Sequence, residues 1–178
     1  MDAVRIDDLL APGYLAGLAE VDLSELRSRR EECSAVETEL SFLRRMVQGR
    51  LDIVLDERRR RRYGETTPDV ASIVERLPEI LAGSVHAPGV GRLPTTMAPA
   101  EVGPEATALL DAVVPPDRLV AIPGLPGAEL DLLADALEAM EKEVSGQRRR
   151  LHAVLDALQG EVVRRYRSGE ATVDGFFG

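Results

Sequence analysis

Five polar side chains recur in this chain at one spacing. Glu37, Ser41, Arg44, Gln48 and Asp52 are matched, 104 positions on, by Glu141, Ser145, Arg148, His152 and Asp156. Both copies read E-x3-S-x2-R-x3-[Q/H]-x3-D. Gln48 against His152 is the one exchange, and it trades one polar hydrogen-bonding group for another. The residue types point to recognition rather than bond making. Arginine can give paired hydrogen bonds to a guanine O6/N7 edge or to phosphate, or stack on a base. Aspartate can accept from the N1–H and N2–H2 edge of guanine. Serine, glutamine and histidine suit phosphate or ribose oxygens. Glu37 and Glu141 can accept from a base or orient a nearby arginine. No nucleophile stands with a positioned general base, so no enzyme activity and no catalytic cofactor are expected.

Such rows need a helix to become a surface. At 100° per residue the five positions fall within a stripe roughly 80° wide, spread over about 22 Å of helix. One such row is what a solvated helix face commonly carries. A second row in the same heptad phase is harder to assign to chance. Leu26, Cys33, Leu40, Val47 and Val54 repeat every seven residues, with Val36 and Leu43 on the companion row. Leu130, Leu137, Val144, Leu151 and Leu158 do the same, with Leu133, Met140 and Val154 beside them. The two series align at the same offset of 104. Sustained seams of this kind predict coiled-coil pairing. Arg29, Arg50, Glu57 and Gln147 interrupt them, as expected near a polar site or a partner surface. Duplication favours an antiparallel hairpin, with the two polar stripes flanking one groove.

The wider sequence supports this arrangement. Of 178 residues 44% are hydrophobic and only 3% aromatic, with no Trp, a composition suited to helix packing rather than a β-sandwich. The predicted fold class is all-α: two long helices in an antiparallel coiled-coil hairpin, with short helices in the N-terminal segment and central linker. The expected organisation is an N-terminal segment, 1–23; a long helix, 24–63; a Pro/Gly-rich linker, 64–125; a second long helix, 126–168; and a tail, 169–178. Ser24 is the expected N-cap of the first long helix. Residues 64–127 hold 10 of the 11 prolines and 7 of the 15 glycines. Helices are expected there from Thr67–Pro68 to about Leu81 and from Pro104 to about Val114.

Net charge is −9, but residues 25–63 hold 11 Arg against 8 acids. The overall sign argues against direct DNA binding while leaving room for a local anion site. Cys33, the one cysteine, falls in the apolar seam and reads as a small buried hydrophobe. His86 and His152 are too far apart in sequence to suggest a metal site. Gly89–Pro94, "GVGRLP", follows no strand and opens no helix, so it is no dinucleotide fingerprint. The N-terminus lacks a basic region followed by an apolar run, and no long apolar stretch occurs. A cytoplasmic protein without membrane attachment is expected.

The doubled motif resembles the hallmark of the RsiG family, actinobacterial anti-sigma factors that bind cyclic di-GMP and restrain the sporulation sigma factor WhiG. The first copy matches in full. The second departs at His152, where imidazole can still donate to phosphate, so binding is expected to survive with some pH dependence. The resemblance implies a pair of cyclic di-GMP molecules held by Glu37, Ser41, Arg44, Gln48, Asp52, Glu141, Ser145, Arg148, His152 and Asp156. Arg44 and Arg148 would recognise guanine, Asp52 and Asp156 its other edge, and the ligand would join the hairpin to a sigma factor of the WhiG type. The alternative is a nucleotide-independent coiled-coil adaptor. Two further features lie outside the motif. Arg58–Arg62 suits a solvated helix C-terminus, an acidic partner or dinucleotide phosphates. Phe42, Met46 and Ile53 form a second apolar stripe, expected to pack under a linker helix or against the sigma factor.

Overall fold

A computed structural model describes residues 3–65, 69–82 and 104–169 of the chain. Six α-helices occur among them: α1 (Ala3–Leu9), α2 (Leu23–Arg62), α3 (Val70–Ala82), α4 (Pro104–Val113), α5 (Pro116–Ala121) and α6 (Gly127–Ser168). A 3-10 turn, Ile122–Gly124, joins α5 to α6. The described residues contain no strand, and none of their helices is long and apolar enough to cross a membrane. The expected start at Thr67–Pro68, His86 and the "GVGRLP" stretch lie outside the described residues.

The chain divides into two compact units, Met1–Leu40 with Gly146–Gly178, and Ser41–Ser145. In each, a stretch of α2 packs antiparallel against a stretch of α6. The first unit shows the direction through Arg27 with Tyr166, Arg30 with Gln159 and Glu37 with Arg148. The second shows it through Arg44 with Glu141 and Arg58 with Asp131. The predicted seam is the core. Leu26, Cys33, Leu40, Val47 and Val54 are fully buried, as are Leu137 and Leu158, with Leu130, Val144 and Leu151 nearly so. The companion row differs on α6. Leu133 and Met140 are half-buried, and Ala134 takes the closed position instead. A small residue there lets the helices approach more closely than a leucine would allow.

The helix ends follow capping chemistry. Asp22, not Ser24, caps α2: its Oδ1 accepts the Glu25 amide at 2.8 Å and the Ser24 hydroxyl at 2.8 Å. The Glu25 amide is the main reason that the Asp22 carboxyl lies below its ordinary range, with the Ser24 hydroxyl next. At the other end Gly64 takes a left-handed φ of 74°. There Glu65 donates to the Arg60 carbonyl and Gly64 to that of Arg61, the paired bonds of a Schellman stop.

Three of the polar interruptions of the seam, Arg29, Arg50 and Glu57, make contacts within the chain. Arg50, only 8% exposed, donates to the Val114 carbonyl and to Asp111 at 2.6 Å, closing the C-terminal end of α4. Arg61 is held by buried Glu57 at 2.7 Å and donates to the carbonyls of Ile122, Pro123 and Leu125. Arg29 stacks over Tyr14 and donates to its carbonyl. Arg165, outside the predicted set, donates to the Leu18 and Ala19 carbonyls. Helix and turn ends leave carbonyls without partners, and an arginine fork satisfies several at once. The arginine run is largely spent in the same way: Arg58 pairs with Asp131, Arg59 with Asp56, Arg60 with Glu65 and Arg61 with Glu57.

α3 runs along α2 past Ile53 of the second apolar stripe. Arg76 of α3 bonds Asp56, and Leu81 approaches Gly49, where an added Cβ would meet its Cδ2 at 3.8 Å. Ile73 supplies the buried anchor of α3. Phe42 and Ile53 are half-buried, whereas Met46 is 37% exposed.

Candidate ligand site

Each unit contains one motif arginine, and each arginine meets the glutamate of the other motif. In the second unit Arg44 Nε donates to Glu141 Oε1 at 2.9 Å and to Ser145 Oγ at 2.8 Å. Gln48 Nε2 reaches the same glutamate oxygen at 3.2 Å, and the Ser145 hydroxyl donates to it at 2.8 Å. Ser41 and Asp52 complete the row, both half-buried. In the first unit Arg148 donates from Nε and Nη2 to Glu37 Oε1, at 3.1 and 3.0 Å. His152 Nε2 lies 3.3 Å from that oxygen, and Asp156 is exposed one turn further on.

The antiparallel stretches are set in a register that places the start of each row against the middle of the other, so the arginine, third in its row, meets the first glutamate of the partner row. The seam brings the backbones close enough for both side chains to reach. Motif spacing places five groups on a helix face, but only the interhelical register decides who pairs with whom.

Burial opposes ionisation of Glu141. The hydrogen bonds from Ser145, Arg44 and Gln48, with the charge of Arg44, outweigh it and hold the carboxyl below its ordinary range. Glu141 is therefore an anion at neutral pH, fixing one edge of Arg44. The pairs are partly exposed, with Arg44 at 36% and Arg148 at 26%. That is the exposure of side chains held in place yet reachable.

A cleft accompanies each row. In the second unit Gln48, Leu51, Asp52, Glu138, Glu141 and Lys142 line about 570 Å³. In the first, Arg30, Glu31, Ser34, Leu155, Asp156 and Gln159 line about 270 Å³. The aspartate that ends each motif borders its cleft, next to the preceding leucine. Glu138, Lys142, Arg30, Glu31, Ser34 and Gln159 were not singled out from sequence. They stand outside the repeated spacing, and only the facing helix brings them in. No cluster of His, Cys, Asp and Glu suited to a metal occurs among the described residues.

The family model described as RsiG-like matches residues 12–81 and 116–176. The chain belongs to the RsiG-like family. Its two matched segments cover α2 with α3, and α5 with α6, so both motif rows lie within the match. RsiG-like membership makes this a protein of the anti-sigma-factor type and implies a sigma factor as partner. A comparison with curated proteins gives no match.

Proposed function

We propose that the chain is an anti-sigma factor that binds a cyclic di-GMP dimer through its two motif rows and thereby sequesters a sporulation-type sigma factor of the WhiG type. The observation that carries this reading is the reciprocal pairing of Arg44 with Glu141 and of Arg148 with Glu37. A guanidinium fixed at one edge loses less conformational entropy when another edge meets a base. The terminal aspartates border the clefts, where carboxylates can accept from the guanine N1–H and N2–H2 edge. Ser41, Ser145, Gln48 and His152 are the residue types that suit phosphate and ribose oxygens. Bound ligand would offer the sigma factor a composite surface of base, phosphate and helix, so that affinity for the sigma factor depends on the nucleotide.

The test is calorimetric titration of cyclic di-GMP into the chain, with and without the sigma factor. Ligand-promoted association is expected in the wild type and lost in Arg44→Ala with Arg148→Ala. Unchanged association in that double variant would reject the site. The same Arg–Glu pairs favour a second reading, since interhelical struts alone would suit a nucleotide-independent adaptor. In that case the polar rows tolerate alanine, and sigma-factor affinity ignores the ligand.

A further inference from the structure

The two motif arginines differ in how much of each guanidinium is already taken. Arg44 uses only Nε, toward Glu141 and Ser145. Neither its Nη1 nor its Nη2 donates a hydrogen bond among the described residues. Those two nitrogens form the end-on fork that can meet a guanine O6/N7 edge. Arg148 spends its side-on edge, Nε with Nη2, on Glu37. His152 Nε2 then lies 3.4 Å from the same Nη2. As an acceptor, it takes the Nη2 hydrogen that would complete the end-on fork. As a donor, it turns to Glu37, 3.3 Å away, and its ring still fills the space beside Nη2. Gln48, at the matching motif position, bonds Glu141 and not Arg44. The one departure between the two motif copies is thus the side chain that obstructs an arginine fork.

We infer that the two sites are unequal and fill in order. The Arg44 site takes guanine first. The Arg148 site follows, and His152 must swing aside before its fork is complete. His152 is 51% exposed, so solvent is available to receive the ring. Over a range of nucleotide concentration the chain then carries one ligand, and the pair assembles above it. This inference rests on the nucleotide reading and adds the order in which that site is occupied.

The experiment is calorimetry of cyclic di-GMP into the full chain, alone and with the sigma factor, on the wild type, Arg44→Ala, Arg148→Ala and His152→Gln. Two resolved steps are expected in the wild type. Arg44→Ala removes the tighter step and Arg148→Ala the weaker. His152→Gln, at an exposed position where the fold is not at risk, tightens the weaker step by roughly tenfold and leaves the first in place, about one charged hydrogen bond regained. Two equal steps in the wild type, a tight step lost in Arg148→Ala, or no response to His152→Gln overturns the order and leaves nucleotide binding standing. Absence of uptake by the wild type in both arms overturns the nucleotide reading, and the order with it.

Discussion

Glu141 is where the charge balance of one polar row is decided. Three donors, from Arg44, Gln48 and Ser145, converge on its Oε1. Burial raises its pKa, but those hydrogen bonds lower it further, leaving it below the ordinary 4.5. A carboxyl depressed on folding contributes stability that is present above its unfolded pKa and lost as pH falls through the folded value. Acid unfolding of the wild type should therefore steepen below about pH 4.5. Glu141→Gln should flatten that dependence and lower neutral-pH stability by less than about 1 kcal/mol, because the pair is partly exposed to solvent. Thermal melts of both proteins between about pH 3 and 7 check the point; parallel curves would reject it. The sequence makes each row legible through helical period, since spacing alone places five groups on one face. The crossed pairing is not legible there, because neither helix encodes the register of its neighbour.

Among the elements, α4 shows what the interruptions of the seam accomplish. A ten-residue helix is marginal alone. Arg50 reaches from α2 to the Val114 carbonyl just past its end and to Asp111 within it. Arg50→Ala removes a buried donor, leaving a carbonyl and a carboxylate without their arginine. A loss of about 2–3 kcal/mol is expected. Hydrogen exchange should show residues 107–113 losing protection while Leu137 and its neighbours keep theirs; uniform loss would argue against a local strut. The long helices and their antiparallel pairing are readable from heptads because burial follows period. The short α5 and its 3-10 turn escape notice because a six-residue helix framed by prolines has too little period to register. Capping by Asp22 rather than Ser24 turns on which oxygen faces the Glu25 amide. Both residue types satisfy the sequence rule. The arginine struts are equally hidden, since a charged residue at a seam position looks the same whether its partner is a carbonyl of this chain or another protein.

For the molecule as a whole, the core and the polar rows should separate cleanly by experiment. Leu137 in one unit and Leu151 in the other are buried seam residues that lie outside the motif. Leu137→Ala or Leu151→Ala should each cost about 3 kcal/mol through lost apolar transfer and the cavity left behind. Neither removes a group that would touch a nucleotide, so cyclic di-GMP should still raise the melting temperature of both variants. A ligand that binds only the folded chain stabilises it by about 2.7 kcal/mol at a hundred times its Kd. Arg44→Ala with Arg148→Ala should behave in the opposite way. Their side chains are partly exposed, so melting without ligand changes little, while the ligand-dependent rise disappears. A nucleotide-independent adaptor predicts no rise in any of these proteins, and a protein held together chiefly by its polar rows predicts that the arginine variants melt first. Ligand-dependent melting across the two sets of variants therefore decides between a sensor built on a coiled coil and a coiled coil that carries charged struts.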